Sequence, residues 1–532
     1  MRTARSRWAW TTAPSIAVVL LLVSCSSSTE DTQPPTTRHA TTTVARRAFD
    51  PSAVASAVVA DPSPIGGGST ILGPPGLDVS TVGYEQSERF LSGTAASYTS
   101  DRALSSDGHW DVHPKTTARY TTRIVVRRPA DAARFNGTVF VEWLNVTGGL
   151  DASPDWTFEH TAMISEGAAW VGVTAQVVGI EGNGGPGSVL ALKTADPVRY
   201  GSLVHPGDDY SYDIFSQAGA AVRTQSAKVL GGLTPRHVVA IGESQSAYRL
   251  TTYVNALALS TAVFDGYLLH SRGSAGAPLL LGTRVGGRPG STDQVPPELA
   301  APDPTFVRDD LDVPVLVFSS ESDLPSNSLG YGRARQPDTD RFRGWEVAGT
   351  SHADAYMLGI GDSDDGTGAG DTALFHALSA PPSSIYGGII SCDSPINAGP
   401  NAYVLRAALR ALEGWVRTGE PPPKMPRLHL DAAGTGYETD AHGNATGGIR
   451  SPQVDAPLAK LSGLGQKGES FCGLFGTTVP FDGATLRAVY PDHASFVAAW
   501  DAAVDAAVAS KVLLPADAER LRSVAAVSII GS

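Results

Sequence analysis

Three short stretches carry residues whose types suit nucleophilic chemistry. The first is "HVVAIGESQSA" (His237 to Ala247), in which Ser244 stands at the centre of a G-x-S-x-S pattern. An apolar run, a tight turn and a helical stretch in that order would lift the Ser244 hydroxyl clear of a sheet. Gly242 leaves room for the backbone to pass beneath the turn. The glycine expected two residues after the serine is replaced by Ser246, where a small side chain is required, so the pattern is weakened but kept. The second stretch, "VPVLVFSSESD", delivers Glu321 and Asp323, and the third, "RFRGWEVAGTSHAD", delivers His352. A serine that attacks a carbonyl needs an exposed hydroxyl, a base with a carboxylate to orient it, and donors for the developing oxyanion. Ser244, an acid and His352 follow in that chain order, each directly after a strand-like run, which suits acyl transfer.

The runs that must position these groups are nearly unbroken apolar segments. They are "GTVFVEWLN" (Gly137 to Asn145), "AAWVGVTAQ" (Ala168 to Gln176), "HVVAIG" (His237 to Gly242), "FDGYLLH" (Phe264 to His270), "VPVLVFSS" (Val313 to Ser320) and "RFRGWEVAG" (Arg341 to Gly349). Such runs, separated by helical stretches, predict parallel strands covered on both faces. "GYEQSERFLSGTA" (Gly83 to Ala95) and "YTTRIVVRRP" (Tyr120 to Pro129) read as an antiparallel pair ahead of them. "YDIFSQAGAAVRTQSAKVLGGL" (Tyr212 to Leu233) is the clearest intervening helix, stopped by a glycine pair. The predicted class is α/β, a mostly parallel doubly wound sheet whose ligands gather at the carboxyl ends of strands. Additional amphipathic helices follow His352, in Asn401 to Pro423 and His493 to Leu514, and are read as packing on the sheet and overhanging its catalytic end. Gly273 to Asp310 reads as a small lid.

The chain of 532 residues is 42% hydrophobic and 17% charged, with a formal net charge of -13. That composition fits a globular protein, and no basic run interleaved with aromatics appears, so nucleic acid is not an expected partner. Residues 1–24 read as an export signal, with Arg2, Arg5 and Arg7 before the apolar "IAVVLLLV" (Ile16 to Val23), a run too short to span a bilayer. Leu22-Val23-Ser24-Cys25 resembles a bacterial lipobox. That resemblance implies cleavage before Cys25, its lipidation, and an anchor on the outer side of the cytoplasmic membrane or cell envelope. An ordinary secretory signal with an incidental cysteine is the alternative. Residues 25–48, rich in Ser, Thr and Pro, read as a flexible linker, and residues 49–532 as one folded domain with insertions. With Cys25 set aside, Cys392 and Cys472 remain. In an exported protein they read as one disulfide, worth at most about 4–5 kcal/mol in the chain-entropy model, against the alternative of two buried free thiols.

Taken with their order, these segments resemble the α/β-hydrolase superfamily, and more narrowly a group of bacterial exported α/β-hydrolase-domain proteins. The matching stretches are "VFVEWLNVTGGLDASPDW", "IGESQSAYRLTTYVNAL", "FDGYLLHSRG", "PVLVFSSESD" and "GTSHAD", within a region from about Phe49 to the carboxyl end. In that group G-E-S-Q-S is the usual elbow. The resemblance implies a serine esterase, needing neither metal nor cofactor, that acts on a small-molecule or lipid-like ester. Ser244 would attack the carbonyl, His352 would take and return its proton, and Asp323, which aligns best with the superfamily's acid, would orient the imidazole. Glu321 is the alternative acid, and the one not used is expected to be a solvated loop carboxylate. Oxyanion donors are expected from the backbone of Gln245 and from the loop after the "GTVFVEWLN" strand, at Asn145 or Val146. The rival readings are an acyltransferase or amidase with the same three residues, or a non-catalytic surface binding protein on that scaffold. Substrate identity and oligomeric state are not encoded in any motif.

Other polar clusters read as structural. His109 and His113 in "HWDVH" lack a third ligand cluster and read as a loop, not a metal site. His270 reads as a hydrogen-bonded structural histidine or one that lines the pocket. Asp151, Asp155 and Trp156 read as a polar loop or as the entrance to the site. "DDGTGAGD" (Asp364 to Asp371) misses the EF-hand spacing and reads as surface.

Overall fold

A computed structural model of the chain describes residues 46–62, 70–73, 76–280, 299–469 and 471–531. The export signal, Cys25 and nearly all of the linker lie outside the described residues, as does the middle of the expected lid. Nine strands form one sheet in the order β1-β2-β3-β5-β4-β6-β7-β8-β9. They are β1 (Val58–Ala60), β2 (Tyr84–Thr99), β3 (His113–Pro129), β4 (Thr138–Trp143), β5 (Ala169–Val173), β6 (His237–Glu243), β7 (Gly266–His270), β8 (Val315–Ser319) and β9 (Phe342–Glu346). Pairs from β1 to β5 across β2 and β3 are antiparallel, and every pair from β5 through β4 to β9 is parallel.

Two kinds of strand meet in this sheet. Every residue of β4, β5, β7, β8 and β9 is buried, because layers lie on both faces; β5, β7 and β8 read as apolar runs, while β4 carries the buried Glu142 and β9 carries Arg343 and Glu346. β2 and β3 form a long ribbon whose outer parts are exposed, with a register break between Ala96 and Tyr98. The ribbon extends well past the expected strands, since its outer residues are polar and carry no hydrophobic period.

The expected helix over Tyr212 to Leu233 is two pieces, Ser211–Thr224 and the short Ser226–Val229. A helix at Pro154–Glu166 replaces the end of what reads in sequence as a polar loop. Pro154 suits its first turn, and Gly167 ends it at φ 76. Nearly all of its residues are buried, so it has no polar stripe to betray it.

After His352, the helix Asn401–Thr418 lies against β6, β7 and β8, as expected. The approach is close: a Cβ on Gly266 would stand 2.7 Å from Val416 Cγ2. The later helices His493–Ala509 and Pro515–Ala526 differ from the expectation. They pack chiefly on each other, with Trp500 against Phe375 at a ring separation of 5.4 Å. What meets the catalytic end is the segment held by the Cys392–Cys472 disulfide, whose Cα atoms are 5.6 Å apart. Among the described residues no helix is long and apolar enough to cross a membrane.

Candidate active site

β6 ends at Glu243, and Ser244 takes φ 57 and ψ -118 before the helix Gln245–Ala256 begins. A non-glycine residue in such a conformation stores about 1–3 kcal/mol of strain and persists only where its surroundings over-determine it. Here the Ser244 N–H donates to the His270 carbonyl (2.9 Å), and the Tyr248 N–H donates to the Ser244 carbonyl (3.1 Å). The missing second glycine is explained by the first. A Cβ on Gly242 would stand 3.0 Å from the Ser246 Cβ and 2.9 Å from Leu250 Cδ1. Because Gly242 carries none, the buried Ser246 fits.

His352 Nε2 lies 2.8 Å from Ser244 Oγ, and His352 Nδ1 lies 2.8 Å from Asp323 Oδ1. Asp323 Oδ2 accepts from the Ser320 N–H (2.6 Å) and the Ser320 hydroxyl (2.9 Å), bonds that suit an anionic carboxylate. The three groups come from the carboxyl ends of β6, β8 and β9. Glu321, expected in solvent if unused, is buried instead. It accepts the N–H groups of Gly349 (2.6 Å) and Gly463 (2.8 Å), and burial pushes its pKa up to about 7. It thereby ties the turn leading to His352 to the disulfide-held segment. Ser322 reinforces that tie, its hydroxyl donating to the Gly463 carbonyl (2.7 Å) and accepting from the His352 N–H (3.2 Å). The Ala353 N–H donates to the Leu474 carbonyl (3.3 Å).

The Gln245 N–H opens a helix and has no hydrogen-bond partner among the described residues, as first-turn donors generally lack one inside the helix. Asn145 departs from the expectation. Its N–H donates to the Ala152 carbonyl (2.9 Å), and its amide side chain donates to the Glu243 carbonyl (3.2 Å) and Oε2 (2.9 Å). Asn145 therefore braces the elbow and has no backbone donor to spare. The Val146 N–H next to it has no partner among the described residues.

The chain matches the alpha/beta hydrolase domain family over residues 56–523. It belongs to that family. Solved structures similar to this α/β-hydrolase are distant. A thermostable esterase from Pseudomonas putida is 14% identical with a TM-score of 0.24, the match covering 46% of this chain and 66% of that one, just under two thirds of its length. A lidless serine hydrolase from Xanthomonas campestris is 12% identical with a TM-score of 0.24, covering 44% and 80%. Fungal esterases from Rhizomucor miehei are 15% identical with a TM-score of 0.21, covering 43% and 67%. No curated protein matches the chain.

Sequence reasoning missed one residue of this hydrolase's site. Glu243, buried beside Ser244, places Oε1 3.1 Å from His352 Nε2. Burial of His352 opposes its charged form. The Glu243 charge, hydrogen bonds to Asp323 and Glu243, and the Asp323 charge outweigh that burial and push its pKa up to about 10. The identity of Glu243 is plain in the motif, but its direction at the strand end is not.

One ladder position away, His270 pairs with Glu243 across β6 and β7. Its Nδ1 shares a 2.8 Å hydrogen bond with Asp155 Oδ1, and burial pushes its pKa down to about 4. Burial, and then the Glu243 charge, hold the Asp155 carboxyl well above its ordinary range. Asp155 and its neighbours are thus core rather than loop. Asp151 accepts from the buried Arg123 guanidinium (2.9 Å), and Trp156 lies 4.6 Å beneath that of Arg127.

The remaining clusters divide. His109 lies 2.8 Å from Asp309 in an exposed group that includes Asp310, itself bound by Arg308 at 2.6 Å. His113 opens β3 and faces Asp101 at 3.6 Å. The segment Asp364 to Asp371, expected at the surface, has buried ends. Asp364 accepts from the Tyr356 hydroxyl (2.6 Å) and Arg406 (3.2 Å), and Asp371 from Arg520 (2.7 Å). A mostly apolar cavity of about 460 Å³ begins three residues after His352, lined by Ala355, Leu358, Ile360, Ala377 and Ile385 among others.

Proposed function

We propose that this α/β-hydrolase is a serine esterase that cleaves carboxylic esters through a Ser244–His352–Asp323 triad and an acyl-enzyme. The reading is carried by the two 2.8 Å hydrogen bonds that put hydroxyl, imidazole and carboxylate in a row. Ser244 Oγ bonds to the ester carbonyl carbon while its proton passes to His352 Nε2. The Gln245 N–H and that of Val146, neither of which has a partner among the described residues, serve as the oxyanion donors. His352 then gives its proton to the leaving alcohol, and water resolves the acyl-enzyme by the same route in reverse. Asp323 fixes the tautomer and stabilises the imidazolium. Neither metal nor cofactor is required for these steps. The site is carried outside the cytoplasmic membrane by a lipid on Cys25, and palmitate incorporation that persists in Cys25→Ala would refute that part.

The test of the chemistry is labelling by a fluorophosphonate. Ser244 is expected to be the labelled residue, and Ser244→Ala is expected to lower turnover of a short p-nitrophenyl ester by up to about 10⁶. Folded protein that takes no label would overturn the reading.

A further inference from the structure

The His352 imidazole is contacted by two carboxylates, one on each ring nitrogen. Asp323 meets Nδ1 at 2.8 Å, and Glu243 meets Nε2 at 3.1 Å, on the same nitrogen that reaches Ser244 Oγ at 2.8 Å. Glu243 is held in place by more than this contact. Its Oε2 accepts from Asn145 at 2.9 Å, and its carbonyl accepts from the same amide at 3.2 Å. Asn145 in turn is fixed by reciprocal backbone bonds with Ala152, at 2.9 and 2.8 Å. A buried carboxylate so braced has few conformations in which to avoid the imidazole.

We propose that Glu243 is a positioning residue that holds the proton of His352 on Nε2 in the resting site, and stabilises the same imidazolium when Ser244 attacks. The inference rests on His352 being the base. In the resting site the protonated ring pairs with the Glu243 carboxylate across the 3.1 Å contact, and the site becomes active when the Nε2 proton leaves to water. In acylation the Ser244 O–H bond breaks and its proton forms the new Nε2–H bond. The imidazolium is then flanked by Asp323 and Glu243 until it protonates the leaving alcohol. The carboxylate therefore makes the base stronger and delays its availability to higher pH.

The other groups around this pair do not supply that charge. His270, from β7, is pushed down to about 4 by burial, and Asp155, from the helix Pro154–Glu166, is pushed well up by burial and by Glu243 itself. Tyr248 and Tyr437, the phenols that feel the Asp323 charge, are pushed up by burial and stay neutral.

The experiment compares the full chain with Glu243→Gln and Glu243→Asp. The first readout is the pH dependence of fluorophosphonate inactivation. The second is NMR titration of the His352 ring, assigned by its loss in His352→Asn. In Glu243→Gln both the acid limb of inactivation and the ring titration are expected to move down by about 1–3 pH units, the size of effect an adjacent opposite charge exerts. Glu243→Asp should recover part of that shift. An unchanged acid limb and an unchanged ring titration in folded Glu243→Gln would overturn the proposal. Should that variant fail to fold, the parent decides: a His352 ring that titrates near the ordinary histidine value refutes it, and one that stays charged well into alkaline pH supports it. A ring that titrates as expected in a protein taking no label would sink the esterase reading and leave the charge assignment standing.

Discussion

This hydrolase contains two histidine–aspartate pairs at neighbouring strand ends, and they behave oppositely. His352 and Asp323 meet at 2.8 Å, as do His270 and Asp155. Both histidines are buried, yet one is pushed up to about 10 and the other down to about 4. The difference lies in what surrounds each pair. Asp323 receives two further hydrogen bonds from Ser320, and His352 has a second carboxylate at its other nitrogen. Asp155 Oδ2 and His270 Nε2 have no partner among the described residues, so burial prevails, pushing the imidazole down and the carboxyl up. A hydrogen bond of given length does not assign charge to an imidazole; the rest of the shell does.

The sharpest way to break this comparison is to remove each ring. His352→Ala is expected to cost about 10⁴–10⁶ in kcat on an ester that the parent turns over, as loss of a triad base generally does. His270→Ala should lower kcat by less than about tenfold, its effect appearing as a loss of roughly 1–3 kcal/mol in urea unfolding. Comparable losses of kcat would erase the distinction between the pairs.

Amide substitution of the acids is the next test. Asp323→Asn is expected to lower kcat by about 10⁴, because the imidazole loses its tautomer and its counter-charge. Asp155→Asn should change kcat by less than about threefold and stability by about 1 kcal/mol, since burial disfavours the charged form of this carboxyl and an amide keeps its shape without that charge. Steady-state rates and urea midpoints for the two variants check both statements.

Stability against pH separates the pairs more gently. His352 titrates above the ordinary value of 6.5, so its stabilising charge is complete below that value and is lost as pH rises through about 10. His270 titrates below 6.5, so its contribution is complete above that value and is lost as pH falls through about 4. Urea midpoints measured across pH should show the alkaline decline flattened in His352→Asn and the acid decline flattened in His270→Asn. A small effect on activity is also expected from reducing Cys392–Cys472. The disulfide-held segment touches the turn bearing Asp323 through Gly463, and Leu474, just past Cys472, accepts from the Ala353 N–H beside His352. Reduction is expected to lower stability by up to about 4–5 kcal/mol while cutting kcat only a few-fold at temperatures where the protein stays folded.

Strands β4 to β9 were legible in sequence because burial on both faces leaves runs that are mostly apolar, even where β4 carries Glu142 and β9 carries Arg343 and Glu346. The elbow at Ser244 and the positions of Asp323 and His352 were legible because each follows such a run directly. The helix Pro154–Glu166 was not, since it is buried almost all round and lacks an amphipathic stripe. Glu321, as the acid not bonded to His352, is the one expected in solvent; the two N–H groups that hold it inside come from residues 28 and 142 positions away. Asn145 was expected to offer its backbone, and only the fold reveals Ala152 already occupying it.

The sequence by itself determined which chemical groups stand at the ends of which strands, because hydrophobic runs and turn residues are local properties. The tertiary structure decided the charge those groups carry. Protonation depends on desolvation and on neighbours brought together from distant parts of the chain, and Glu243 and Asp323 reach the two sides of one ring only when β6, β8 and β9 lie in a single sheet.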